Sequence, residues 1–261
     1  MEKAIVIPIY KEHLTPEEII SLKQCYKVLN KHKIFFAAPT NLDIIPYKSI
    51  IGNIINVERF EDKYFESISG YNSLMLSSEF YKRFKNYKYI LIYQLDCHVF
   101  KDELDFWCNQ GYDYIGSPWL DYKYYNLKKY QKLFFKLKRK ISTIFSPTKI
   151  SKERLTNKVG NGGFSLRNTK VFYNVCLQHN SNKLQKFKDS NDSAGMYNED
   201  VYWSFFAKNI KKPSYKKALK FSIDNGVSIG LNFNNGKVPF GCHRYQRSYN
   251  EWIRLAKEQI S

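Results

Sequence analysis

The sequence predicts an α/β fold with a mixed, mainly parallel central sheet and helices on both of its faces. Four patterns along the sequence lead to this prediction. An apolar run over residues 3–10 is followed by a helical pattern over residues 15–29 and by a second apolar run over residues 33–39. This order of strand, helix and strand is the βαβ signature of a parallel sheet. A further apolar run, residues 87–95, gives the strongest strand signal and ends on Asp96.

The first two strands and the helix between them have clear local signals. Both strands are apolar on both faces, as strands buried in a parallel sheet are. Thr15 is expected to cap the helix, because Pro16 suits the first helical position and Glu18 completes a capping box. Ligand sites of such units gather at the carboxyl ends of the strands.

The remaining elements follow from shorter patterns. We predict helices near residues 65–84, 103–109, 170–178, 201–210 and 249–260, and strands at 112–117 and 163–167. Residues 121–158 are strongly basic, and we interpret them as an insertion within a domain. The whole chain, 1–261, is therefore predicted to be one domain.

Composition narrows the class of protein. Hydrophobic residues make up 43% of the chain, which excludes wholesale disorder. The five cysteines lack CxxC spacing, which argues against a disulfide framework or a structural zinc site. No apolar stretch approaches the roughly 18 residues that span a bilayer. We expect a cytoplasmic protein.

The net charge of +18 is concentrated in one region. Residues 121–158 contain 12 Lys and Arg but only two acids. Apolar residues recur within this segment at helical spacing, at positions 124, 127, 130, 134, 137 and 141. A basic amphipathic helix of this kind can lie on anionic lipid, here the inner face of the membrane. Alternatively, the helix packs its aromatic face on the domain and leaves its lysines in water.

The tripeptide Asp96-Cys97-His98 is a candidate metal site. If the chain stays extended, residues 96 and 98 point the same way and can reach one cation. A carboxylate with an imidazole suits Mn²⁺, and oxygen ligands also suit Mg²⁺. Alternatively, Asp96 caps the next helix or pairs with a lysine.

Three further clusters could carry chemistry. The glycines of Gly160-Asn161-Gly162-Gly163 favour a loop that approaches a sugar or phosphate closely, or simply a tight turn. Glu199 and Asp200 open a helix, so they either cap it or include a general base. His243 and Arg244 could bind a metal and a phosphate, although a lone histidine is more often structural.

Four blocks occur together in one order: Tyr93-Gln-Leu-Asp-Cys-His-Val-Phe100, Gly111-Tyr-Asp-Tyr-Ile-Gly-Ser-Pro-Trp119, Gly160-Asn-Gly-Gly-Phe-Ser-Leu-Arg167 and Asn198-Glu-Asp-Val-Tyr-Trp203. Over residues 3–245, roughly, the chain resembles a family of bacterial glycosyltransferases similar to the GT-A superfamily. The resemblance implies a Rossmann-like domain in which a DxD-type motif after a central strand binds metal and nucleotide diphosphate. The second acid of that motif is His98 here.

The resemblance also implies roles for individual residues. Asp200 would be the catalytic base of an inverting transferase, and Glu199 would bind a sugar. The metal ligands would be Asp96, His98 and His243, with Mn²⁺ or Mg²⁺ as the ion. The donor-binding residues would be Pro8, Ile9, Tyr10, Asn72, Gln94, Asp96, Gly162, Gly163 and Arg244.

The function expected on this basis is transfer of a sugar from a nucleotide-sugar, with UDP favoured, to a glycan or lipid-linked glycan of the bacterial surface. One alternative is a basic nucleic-acid-binding protein, but no helix-turn-helix, RNP-like or zinc-finger pattern is present, so we expect no nucleic-acid partner. Another is a metal-dependent nucleotidyltransferase or hydrolase, which usually needs more acids around two metals.

Overall fold

The computed structural model describes residues 2–52, 56–146, 150–178 and 196–252, together with Gln185, Phe187 and Lys188. Within these residues the strands are β1 (Lys3–Pro8), β2 (Lys33–Pro39), β3 (Asn56–Phe60), β4 (Tyr89–Tyr93), β5 (His98–Val99), β6 (Tyr114–Pro118), β7 (Val159–Asn168), β8 (Ser222–Ile223) and β9 (Gly241–Cys242). Six of them form the central sheet in the order β3-β2-β1-β4-β7-β6. Strands β1 to β4 run parallel, and β7 is antiparallel to both of its neighbours. The predicted fold class is confirmed.

Helices connect and cover these strands. They are α1 (Pro16–Leu29), α2 (Ile45–Ile51), α3 (Ile68–Met75), α4 (Ser78–Arg83), α5 (Leu104–Asn109), α6 (Tyr122–Tyr125), α7 (Lys129–Phe145), α8 (Lys152–Leu155), α9 (Thr169–Gln178), α10 (Glu199–Val201), α11 (Tyr215–Phe221) and α12 (Val227–Phe233). Helix α10 continues as a π-helix over Tyr202–Phe206. The capping box of α1 forms as predicted, with the Thr15 hydroxyl accepting from the Glu18 amide at 3.3 Å.

Alternate residues of the central strands enter two separate apolar cores. Ile5 and Leu91 belong to one core, whereas Ala4 and Ile90 belong to the other. Because both faces are buried, β1 and β4 need apolar residues at nearly every position. This explains why their sequences are continuous apolar runs.

Some elements differ from the prediction. The helix expected over 65–84 is two helices, α3 and α4, because Ser67 and Ser77 each cap a new start. The helix expected over 201–210 is replaced by α10 and the π-helix. Strand β3 was not predicted, because it is a half-exposed edge strand without an apolar run. Residues 253–260 of the predicted closing helix lie outside the described residues.

A small three-stranded sheet joins β9, late in the chain, to β5, which follows β4 in sequence. Strand β9 pairs with β5 and β8, and Cys242 is the register partner of His98. The Tyr245 amide also donates to the Asp96 carbonyl at 2.9 Å. This pairing brings His243 beside Asp96. None of the described helices is both long and apolar enough to span a bilayer.

Candidate active site

A cleft of about 530 Å³ opens where β1 and β4 end. This volume lies within the range of about 300–1,000 Å³ that is typical of small-molecule sites. Its walls include all the predicted site residues except His98, namely Pro8, Ile9, Tyr10, Asn72, Gln94, Asp96, Gly162, Gly163, Glu199, Asp200, His243 and Arg244. The fold therefore collects residues from six separate parts of the sequence in one cavity.

His98 is the exception, and the expected alignment of its side chain with that of Asp96 towards one cation is not seen. The chain turns at Leu95 and Asp96, and the Cys97 amide donates to the Gln94 carbonyl at 2.9 Å. The extended conformation that would align residues 96 and 98 therefore ends before Asp96. The His98 ring instead stacks on Tyr245, with ring centroids 4.3 Å apart. Burial lowers the pKa of His98 to about 4, so the ring is neutral.

The side chain that reaches Asp96 is His243. Its Nε2 lies 3.3 Å from the Asp96 carboxylate and 3.3 Å from Gln94 Oε1. Its Nδ1 lies 2.9 Å from the carboxylate of Asp224, a side chain only 1% exposed. A buried carboxylate that accepts from Nδ1 fixes the ring orientation and directs Nε2 towards Asp96 and Gln94.

The charges of this cluster are strongly coupled. Burial opposes a charge on His243, but Asp96 and Asp224 outweigh it and raise the pKa of His243 to about 9. Burial likewise opposes ionisation of Asp96, yet His243 and Arg244 outweigh it and lower the pKa of that carboxyl. A protonated His243 imidazole thus donates to the carboxylates of both Asp96 and Asp224.

The cluster also fits a divalent cation. The ligand atoms of Asp96, Cys97 and His243 lie within 4.8 Å of one another. The Cys97 thiol, however, donates to the Gly163 carbonyl at 3.2 Å, and burial raises its pKa, so it remains a thiol. The groups that could ligate a cation are the Asp96 carboxylate, the His243 imidazole and the Gln94 amide oxygen. Asp224 orients the imidazole. This set suits Mn²⁺ or Mg²⁺.

Asp200 forms another part of the cleft wall. Its carboxylate accepts from the amides of Val201, at 2.7 Å, and Gly162. Burial and the neighbouring charge of Glu199 nevertheless raise the pKa of Asp200 to about 7. A carboxylate with a pKa near neutrality is suited to accept a proton from a hydroxyl group.

Glu199 is held by a residue that the sequence reasoning did not select. The Arg167 guanidinium, fully buried, donates to both carboxylate oxygens of Glu199 at 2.8 and 3.1 Å. Arg167 also donates to Ser165 and to the Tyr81 hydroxyl. Glu199 is therefore an anchored ion at the cleft wall, and its charge acts on Asp200 at a fixed place.

The glycine cluster lies in a strand and not in the expected loop or turn. Gly160, Gly162 and Gly163 lie within strand β7, and none of the three has a positive φ. A Cβ atom at Gly162 would collide with Glu199, and one at Gly163 would collide with the imidazole of His243. Glycine is thus required here because two functional side chains lie directly against the backbone of β7.

Other predicted donor-binding residues occupy different parts of the cleft. Tyr10, which is 59% exposed, follows β1 at the rim. Arg244 adopts a left-handed conformation with φ of 54°, and its half-exposed guanidinium lies 3.7 Å from Asp224. The Asn72 side chain is buried and accepts from the Glu199 amide at 2.9 Å. Asn72 therefore supports Glu199.

The charge of the cleft is opposite to that of the whole chain. Among the described residues, its walls carry five carboxylates, those of Glu18, Glu66, Asp96, Glu199 and Asp200. The described lysine and arginine side chains that line it are Lys11, which pairs with Glu18 at 2.9 Å, and Arg244. Such a cleft is unsuited to a nucleic-acid backbone, which needs clustered cations. Binding of a diphosphate there calls for an added cation.

Arg167 and Asp224 were not predicted as site residues, and they differ in how far the sequence indicates their role. Arg167 ends a buried apolar strand, and a charge in that position requires a buried partner. Asp224 directly follows the two-residue strand β8, and nothing in the neighbouring sequence distinguishes it from a surface acid.

A family model described as a protein of unknown function, DUF5672, matches residues 54–243. The chain belongs to the DUF5672 family. The match covers β4, the glycine cluster, α10 and His243, so of the predicted site residues in the cleft only Arg244 and those at the end of β1 lie outside it. No curated protein matches this DUF5672 chain in sequence.

Solved structures show which fold this DUF5672 member has. Mouse xyloside xylosyltransferase 1 in its apo form matches with a TM-score of 0.55 at 10% identity, covering 93% of this chain and 97% of that one. The galactosyltransferase LgtC, in complex with donor and acceptor sugar analogs, gives 0.53 at 13%, covering 92% and 86%. The bifunctional glycosyltransferase WbbM gives 0.54 at 10%, covering 93% of this chain but 45% of that one. At these identities the likeness establishes the GT-A fold.

Proposed function

We propose that this DUF5672 chain is a glycosyltransferase that moves a sugar from a nucleotide-sugar, with UDP as the favoured nucleotide, to an acceptor hydroxyl. One observation carries the proposal. A single cleft in a GT-A fold contains a donor set for a divalent cation, Asp96 with His243, and a carboxylate of raised pKa, Asp200. The first group suits a diphosphate, and the second suits an attacking hydroxyl.

The donor half of the site is built around the end of β4. Asp96, His243 and the Gln94 amide oxygen would hold Mn²⁺ or Mg²⁺, which when bound neutralises the diphosphate and acts as a Lewis acid on the leaving group. Arg244 would contact a phosphate. Pro8, Ile9 and Tyr10 would contact the nucleotide base at the exit of β1.

The transfer itself would be a single displacement with inversion at the anomeric carbon. The acceptor oxygen forms a bond to that carbon while the bond from the carbon to the diphosphate oxygen breaks. The hydroxyl proton passes to Asp200, and the nucleotide diphosphate leaves with the bonding electron pair. Glu199, held by Arg167, keeps Asp200 a sufficiently strong base through its negative charge.

The proposal covers the rest of the chain as well. Residues 1–261 act as one catalytic domain of hexosyltransferase type, with 121–158 as a basic insertion. The acceptor is a glycan or a lipid-linked glycan, as in surface polysaccharide synthesis. LgtC, a galactosyltransferase, and the xylosyltransferase support a sugar-transferring role by their fold alone.

The test is a thermal-shift and calorimetric titration with UDP, UDP-sugars and Mn²⁺. A ligand at about 100 times its Kd adds about 2.7 kcal/mol of stability, so binding produces a measurable shift. We expect UDP to stabilise the wild-type chain in the presence of Mn²⁺ and to have little effect without it. Asp96→Ala should abolish the difference made by Mn²⁺.

Two histidine variants provide a matched comparison. His243→Gln should lose the metal-dependent shift, whereas His98→Gln should retain it, because His98 lies outside the cleft. Retention of the shift in both Asp96→Ala and His243→Gln would show that the metal site is misassigned. Rapid cleavage of UDP-sugar within the nucleotide, with no transferred sugar, would instead favour a hydrolase.

A further inference from the structure

Helix α7, in the basic insertion, carries a continuous apolar stripe. Its members are Tyr130, Leu133, Phe134, Leu137, Ile141, Ile144 and Phe145. The spacing of three and four residues places them on one side of the helix. Each of the seven side chains is between 47 and 80% exposed, and α7 has no buried residue.

The opposite side of α7 contacts the domain, and it is the polar side. Lys132 donates to the Tyr125 carbonyl at 2.9 Å, and Arg139 donates to the Thr156 carbonyl at 3.0 Å. Phe135 packs on Tyr124 with ring centroids 5.0 Å apart. These contacts recur three and four residues apart, so they fix which way the helix faces.

An ordinary surface helix packs its apolar side on the protein, whereas α7 turns its apolar side to the solvent. The interpretation in which α7 packs its aromatic stripe on the domain is therefore wrong. The backbone carbonyls of Tyr125, at the end of α6, and Thr156, just after α8, accept hydrogen bonds from the basic side chains, and the apolar stripe points outward. Exposing seven large apolar side chains in water is unfavourable, which indicates a surface that something covers.

The charge on α7 indicates what covers it. The helix contains six Lys and Arg and no acid, and the remaining lysines, at 129, 136, 138 and 140, flank the stripe. Lysines beside an apolar stripe meet phosphate groups while the stripe enters an acyl layer. A second copy of this chain would bring two helices of the same positive charge together, which electrostatics opposes.

We propose that α7 lies in the interface of a bilayer that contains anionic lipid, with its apolar stripe inserted and its lysines on the lipid phosphates. The helix binds in the membrane plane, and the fold holds its inserting side outward before the membrane is met. This inference stands on the orientation of α7 and is independent of the proposed sugar transfer.

The test is cosedimentation of the full chain with vesicles, without nucleotide or metal. Vesicles of equal parts phosphatidylcholine and phosphatidylglycerol should bind the chain at least about tenfold more tightly than phosphatidylcholine alone, since each lysine near an anionic surface adds affinity. Raising the salt from about 0.1 M to about 1 M shortens the Debye length from about 10 Å to about 3 Å and should weaken binding at least as much.

A matched pair of double variants tests the stripe itself. Leu133→Ser with Phe134→Ser removes two exposed members of the stripe, and binding should fall by about tenfold or more. Phe106→Ser with Leu177→Ser makes the same exchanges at sites 52 and 53% exposed outside α7, and binding should not change.

Three results would overturn the proposal. The first is no binding to the anionic vesicles, and the second is equal binding by the two double variants. The third is a dimer in sedimentation velocity that only the Leu133 and Phe134 variant loses, because a second copy would then cover the stripe. Circular dichroism of both variants should match the wild type, since all four side chains are exposed.

Discussion

Replacing Asp200 with asparagine should make the protein less active and more stable. The carboxyl lies in a partly buried wall of the cleft next to the anchored charge of Glu199. An asparagine amide has the same shape but cannot ionise. The substitution therefore removes the proton acceptor and also the repulsion between the negative charges of Asp200 and Glu199. Loss of a general base lowers the rate of sugar transfer by about 10² to 10⁴.

The gain in stability depends on pH in a defined direction. Burial and Glu199 raise the pKa of folded Asp200 from 3.8 to about 7. Between these values the folded state binds the proton more tightly than the unfolded chain, so the free energy of unfolding falls as pH rises. One pKa unit corresponds to about 1.4 kcal/mol, which gives a total loss of about 4 kcal/mol that Asp200→Asn avoids above pH 7.

The assay is urea unfolding of both proteins at pH 8 and at pH 5, with sugar transfer measured alongside. We expect Asp200→Asn to be more stable by about 2–4 kcal/mol at pH 8, and by less than half of that at pH 5. In the wild type, kcat/KM should rise with pH through an inflection near the pKa of about 7.

Removing the charge of a control carboxylate should change the free energy of unfolding in the opposite direction. Asp102 lies 2.9 Å from His32 Nε2 and pairs with Lys31 at 3.0 Å; burial opposes its ionisation, but these partners outweigh it and lower its pKa. Asp102→Asn should therefore destabilise the protein at pH 8. If Asp200→Asn also destabilises at pH 8, Asp200 is a helix-capping acid and the assignment as base is refuted.

Other substitutions test the support of the site. Gly163→Ala should weaken Mn²⁺ binding at least about tenfold in calorimetry, because the added Cβ displaces His243; unchanged affinity would remove His243 from the ligand set. Asp224→Asn should weaken Mn²⁺ binding by about 10- to 100-fold with the far-ultraviolet spectrum unchanged. Arg167→Met should lower the free energy of unfolding by about 3–5 kcal/mol in urea, and adding Glu199→Gln should recover part of it, since the uncompensated buried charge is then gone.

Local sequence signals were sufficient for the central part of the fold. Strands β1, β2 and β4 are apolar at nearly every position because both faces of the sheet are covered, and α1 carries its own caps. Strand β3 was missed because an edge strand has no such requirement. Strand β7 was read only in part, because its glycines resemble a turn unless the side chains packed against them are known.

The same distinction separates the parts of the candidate site. Asp96 follows a buried strand, and Asp200 follows Glu199 at the start of a helix. Both features depend on neighbouring residues alone, so they could be predicted from the sequence. Which histidine approaches Asp96 is not a local property. The turn at residues 95–96 removes His98, and the pairing of β5 with β9 brings in His243 from far along the chain.

The basic insertion likewise has one property that is local in sequence and one that depends on tertiary contacts. The sequence alone determined that α7 would be amphipathic, because the spacing of its apolar residues is read along one helix. Whether that stripe faces the domain or the solvent depends on which side finds partners, here the carbonyls of Tyr125 and Thr156 and the ring of Tyr124. Contacts between segments decide such questions, and only the tertiary structure contains them.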